Sequence, residues 1–87
     1  MEVPDEIQGR YLERRKNDLE GCWVALENKN YVLLEKIGHQ LKGNGSTFGF
    51  PQLSTIGNEL EVGSKLADHL LIEKALQNFA TWLAEQN

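Results

Sequence analysis

The chemistry in this sequence gathers around one histidine. His39 is followed by Lys42 and Gly43 in the run Gly38-His39-Gln40-Leu41-Lys42-Gly43-Asn44-Gly45-Ser46-Thr47-Phe48-Gly49. Near pH 7 a neutral imidazole keeps a lone pair on one ring nitrogen and is a competent nucleophile. If it attacks phosphorus, the product is a phosphohistidine whose anionic oxygens need a nearby cation. Residues three and four apart are neighbours on a helix. Lys42 can therefore supply that cation as a mobile point charge, and Gly43 leaves bare backbone beside the ring. Glycine inside a helix costs about 1 kcal/mol relative to alanine. Gly43 and Gly45 in the last turns of a helix make sense where another protein must come close to the imidazole. Positioning and electrostatics supply most of the help in phosphoryl transfer, so a small domain presenting one histidine borrows the rest of its active site from a partner.

The elements that must hold this run read as helices throughout. No period-2 alternation is sustained, and four segments show helical spacing. The first covers about residues 5–27, begins at Pro4-Asp5, and turns Leu12, Leu19, Cys22, Trp23 and Leu26 inward, with Ile7 and Tyr11 nearer its start. Asn30 can cap the second, about 31–47, whose stripe is Leu34, Ile37, Gly38 and Leu41. Gly49 tolerates positive φ and Pro51 suits a first helical turn, which opens a third helix over about 51–65 with Leu53, Ile56, Gly57, Leu60 and Gly63 inward. Asp68 can cap the fourth, about 69–85, with Ile72, Ala75, Leu76, Phe79 and Leu83 inward and Trp82 beside them. Short connections make sequential helices antiparallel, so the expected fold is all-α, an up-down-up-down four-helix bundle forming a single domain over residues 1–87. If the core direction of the second helix is the mean of Leu34, Ile37 and Leu41, a step of about 100° per residue turns His39 about 150° away from the core. Lys42, Gly43 and Ser46 lie on that same outer side.

Other features have plainer readings. Gly43-x-Gly45-Ser46-Thr47 has no Gly-Lys-Ser/Thr ending and follows a helix, so it does not match a phosphate-binding loop; the Ser46 and Thr47 hydroxyls suit a helix end. His69 beside Asp68 reads as a surface residue at a helix start. His39, His69 and Cys22 have no metal-ligand spacing. Phe48 and Phe50 should pack the turn between the second and third helices, or else rim a partner site. Arg14-Arg15-Lys16 lies among acidic residues and reads as a solvated surface. Net charge −4 over 87 residues argues against nucleic-acid binding. A single cysteine fits a reducing cytosol, Met1-Glu2-Val3-Pro4-Asp5 lacks the features of a signal peptide, and no apolar run approaches the roughly 20 residues of a membrane span. The expectation is a cytoplasmic, monomeric, free-standing protein.

His39-x-x-Lys42-Gly43, with Gly49 and Leu53 beyond it, resembles the signature of the histidine phosphotransfer (HPt) domains of bacterial two-component phosphorelays. Length and helix order agree over the whole chain; the specific motif covers about 15 residues. The resemblance implies a four-helix bundle with His39 as the phosphorylated residue on the second helix, Lys42 associated with the phosphoryl group, and Gly43 leaving room for a receiver. Glu35, Gln40, Gly43 and Ser46 are the expected docking residues. The implied partners are a response-regulator receiver domain, a histidine kinase, or both. The chain needs no cofactor of its own, the Mg²⁺ belonging to the receiver, and it is a stoichiometric carrier without an ATP site. Two alternatives stay open: an HPt-like module that docks and inhibits a kinase or regulator without carrying phosphate, and the substrate domain of a histidine kinase.

Overall fold

The computed structural model describes residues 3–86. Met1 and Glu2, part of the acidic N-terminal run, lie outside them. Four helices follow in order: α1 (Asp5–Glu27), α2 (Tyr31–Asn44), α3 (Pro51–Lys65) and α4 (His69–Glu85), with no strand among the described residues. Each helix touches its neighbours in sequence, and α1 also closes on α4. This is the arrangement of a helix bundle around one core. Among the described residues no helix is long and apolar enough to cross a membrane.

Local chemistry sets the helix ends. The Asn30 side chain accepts from the Leu33 amide at 3.2 Å, and Asp68 accepts from the Leu71 amide at 3.1 Å. Caps of this kind are worth about 1 kcal/mol each. Pro51 opens α3, where its missing N–H goes unused. At the far ends of α1 and α3 the chain reverses through left-handed residues that are not glycine, Lys29 (φ 55°) and Ala67 (φ 49°). The amides that follow return to the helix, Asn30 to the Ala25 carbonyl at 2.8 Å and Asp68 to the Gly63 carbonyl at 2.9 Å.

The second helix ends at Asn44, three residues short of the expected Thr47. The cause is a side chain: the Ser46 amide donates to Ser54 Oγ at 2.8 Å, which takes it out of the α2 ladder. A compact turn then runs to Gly49 at φ 90°, the glycine conformation expected there.

The core is drawn from all four stripes, with Leu34, Leu41, Leu53, Leu60, Ile72, Leu76 and Phe79 fully enclosed. Ala25 and Trp82 join it, while Ile7 stays exposed. Phe48 and Phe50 stack on Tyr11, with centroids at 4.4 and 5.8 Å, and Phe50 meets Trp82 edge-on. They close the α2–α3 turn over the end of the core, and the Tyr11 hydroxyl donates to Asn44 Oδ1 beneath them.

Candidate functional site

Two glycines decide how closely α2 and α3 approach. A Cβ on Gly57 would lie 2.4 Å from the Lys42 amide nitrogen, and one on Gly38 would lie 2.6 Å from that of Glu61. Neither distance is tolerable for a real side chain, so the two backbones meet at a point only glycine permits. The crossing puts Glu61 of α3 directly beside His39 of α2. Gly45 performs the same service two turns after Gly38, where a Cβ would lie 2.7 Å from the Ser54 backbone nitrogen.

The His39 side chain is 74% exposed, yet its ring is not free. Nδ1 lies 2.7 Å from Glu61 Oε2. Glu61 itself is buried, with only 7% of its side chain exposed. Burial pushes its carboxyl up, but hydrogen bonds from His39 and Lys42, with the charges of Lys42 and Lys65, outweigh this and hold it below its ordinary value. The group is therefore an ionised acceptor at neutral pH. Nδ1 therefore donates to it, and in a neutral ring this leaves the lone pair on Nε2. No hydrogen bond occupies Nε2 among the described residues. The contact with Glu61 thus orients the ring from below and selects the Nδ1–H tautomer of a neutral imidazole, while Nε2 is open above.

The other oxygen, Glu61 Oε1, accepts from Lys42 Nζ at 3.4 Å. This is long for a charge-assisted bond, which is usually 2.7–2.9 Å, and the Lys42 side chain is half exposed. Lys65, one turn after Glu61 on α3, brings its Nζ to 4.0 Å from Oε2. A buried carboxylate is thus ringed by an imidazole and two lysines. Beside the ring an open depression is lined by Val32, Glu35, Gln40 and Lys65.

Of the residues expected at the site, Glu35 and Gln40 line this depression with His39, and Lys42 joins through Glu61. Gly43 is exposed, and a Cβ there would meet nothing within 4 Å, so packing inside the chain does not account for this glycine. Ser46 stands apart: it belongs to the turn after α2, and its hydroxyl lies 3.1 Å from that of Ser54. The periodicity of α2 alone turns His39 outward, and its side chain is exposed; the approach of α3 adds what one helix cannot supply, a carboxylate against Nδ1. Glu61 was missed. Its signal was present, a charged residue four positions after Gly57 and next to the inward Leu60, on the flank of the apolar stripe.

Arg15 corrects the reading of a wholly solvated basic cluster: it lies over the Tyr11 ring at 4.5 Å and pairs with Asp18 at 2.8 Å, while Arg14 and Lys16 stay exposed. Its apolar stem and planar head suit that half-buried place. His69 is exposed and 3.7 Å from Glu73. Cys22 is enclosed in the core, where burial pushes its thiol up to about 12 and leaves it inert. Among the described residues no cluster of three or more His, Cys, Asp or Glu side chains is placed to hold a metal ion.

No protein-family model, curated protein or solved structure matches this chain.

Proposed function

We propose that this chain is a histidine phosphotransfer protein of a cytoplasmic phosphorelay, an antiparallel up-down-up-down bundle that carries a phosphoryl group on His39 Nε2. The observation that carries the reading is the His39–Glu61 hydrogen bond on an otherwise exposed ring. A surface histidine without a task has no need of a buried carboxylate that selects its tautomer. The motif His39-x-x-Lys42-Gly43 supports the same reading from the sequence side.

The geometry supports the following chemistry. The donor is an aspartyl phosphate on a receiver domain, whose own Mg²⁺ belongs to the partner. The Nε2 lone pair forms the new N–P bond as the P–O bond to the aspartate breaks, and the aspartate leaves as a carboxylate. The ring keeps its proton on Nδ1 and becomes positively charged, so no proton needs a separate acceptor. Glu61 stabilises that developing charge through the bond it already makes, as a carboxylate supports an imidazolium in acyl-transfer enzymes. Lys42 is one turn from the ring and only loosely held, free to reach the phosphoryl oxygens. Return of the group to a second receiver reverses these steps. Glu35 and Gln40 flank the ring where the receiver would dock, and the bare backbone at Gly43 admits it closely.

A panel of receiver domains charged with radiolabelled acetyl phosphate tests the reading. The wild type should acquire an acid-labile, base-stable label that His39→Gln lacks. Label on His39→Gln, or none on the wild type with any receiver, overturns it; a receiver that binds without transferring label would instead mark a docking module.

A further inference from the structure

We propose that Lys65 is a positioning residue of this site: by staying on Glu61 it frees Lys42 to follow the phosphoryl group. The inference rests on the phosphoryl-carrier reading and extends it to a residue outside the His39-x-x-Lys42-Gly43 motif.

Glu61 has two carboxylate oxygens, and three groups draw on them. His39 Nδ1 takes Oε2, Lys42 takes Oε1, and Lys65 stands off Oε2 at 4.0 Å. Arrival of a dianionic phosphoryl group on Nε2 changes the balance. Lys42 sits on the same helix as His39, three residues on, and its 3.4 Å bond to Oε1 is weak. The phosphoryl oxygens offer it a stronger and more open partner. If Lys42 left with nothing to replace it, a carboxylate with only 7% of its side chain exposed would keep the imidazole as its sole partner. Leaving a buried charge so poorly paired is costly.

Lys65 removes that obstacle. It follows Glu61 by four residues on α3, with the acid N-terminal to the base, the favourable order for an i,i+4 pair. At 4.0 Å it is held by charge rather than by a hydrogen bond, and its side chain is 60% exposed. It therefore has the freedom to close onto the carboxylate as Lys42 departs. The two lysines divide the work: one neutralises the phosphoryl group, the other neutralises the residue that orients the ring. Without Lys65, Glu61 retains Lys42, and the phosphoryl group goes without its cation.

The full chain can be tested without knowing its partner, because phosphoramidate phosphorylates histidine directly: Nε2 forms the bond to phosphorus, the P–N bond breaks, and ammonia leaves. Phosphohistidine at position 39 is followed by phosphorus NMR, with the His39→Gln spectrum subtracted. Lys65→Gln should shorten its lifetime roughly two- to fivefold, the equivalent of a half-exposed ion pair, and Lys65→Arg should restore it. In a Lys42→Ala background the Lys65→Gln change should have little further effect, because Lys65 acts through Lys42. A wild-type lifetime in Lys65→Gln overturns the inference. So does an undiminished effect in the Lys42→Ala background, which would mark Lys65 as an independent contact or a purely structural residue. Failure of the carrier reading shows itself separately, as lifetimes that differ in this way on a protein no charged receiver will label. A His39 that phosphoramidate leaves unmodified overturns both.

Discussion

Replacing Gly57 with alanine tests whether the α2–α3 crossing is what delivers Glu61 to His39. The new Cβ would stand 2.4 Å from the Lys42 amide nitrogen and 2.8 Å from the Gly38 carbonyl oxygen, both backbone atoms that cannot rotate away, whereas ordinary contact begins at 3.4 Å. Reaching 3.4 Å from 2.4 Å requires the helices to part by about 1 Å at this point. The His39 Nδ1–Glu61 Oε2 distance, 2.7 Å at present, spans the same gap. Lengthened by about 1 Å it ceases to be a hydrogen bond. Two terms of opposite sign then act on stability. Alanine improves helix propensity by about 1 kcal/mol, and overpacking costs about 1–3 kcal/mol, so the expected result is a loss of up to about 2 kcal/mol. Gly43→Ala is the matched control, since its Cβ meets nothing within 4 Å. It keeps the propensity gain alone and should stabilise by about 0.5–1 kcal/mol. Urea unfolding of both variants measures the two changes, and imidazole nitrogen NMR reports whether Nδ1 still holds its proton against Glu61. A Gly57→Ala protein as stable as Gly43→Ala, or one whose imidazole spectrum is that of the wild type, would show that the glycine crossing does not deliver Glu61 to His39.

Two further outcomes follow from single features. The folded-state pKa of Glu61 lies below its ordinary 4.5, so the unfolded chain takes up the proton first, and the stability this group contributes is complete above pH 4.5 and lost as pH falls through the folded value. Glu61→Gln should therefore be less stable than wild type at pH 7, with the difference shrinking in acid; a difference independent of pH in urea titrations would contradict the ionised network. Ala67 holds a left-handed conformation at φ 49°, which costs a non-glycine residue about 1–2 kcal/mol. Ala67→Gly should raise the melting temperature, with a net gain of about 0.5–1 kcal/mol once the entropy of glycine in the unfolded chain is included, and a lowered melting temperature would count against the Schellman-type closure of α3.

The four helices were legible because their signals are local. Asn30 and Asp68 accept from amides three residues on whatever the rest of the chain does, Pro51 can only begin a helix, and stripes such as Leu34-Ile37-Leu41 recur at the helical period. Where a distant residue competes, the local reading gives way. The end of α2 depends on Ser54 capturing the Ser46 amide, and the burial of Arg15 depends on the Tyr11 ring and Asp18 lying where its head group falls.

The histidine divides in the same manner. Sequence alone determined that His39 stands on the outer side of a helix with Lys42 one turn on and Gly43 beside it, because helical periodicity is a property of a single segment. Which ring nitrogen carries the proton, and which cations share the carboxylate, depend on Glu61 and Lys65, 22 and 26 residues further along the chain. Only the approach of α2 to α3 through Gly38 and Gly57 decides that. Such closeness is a property of two surfaces meeting, and no periodicity within either helix contains it.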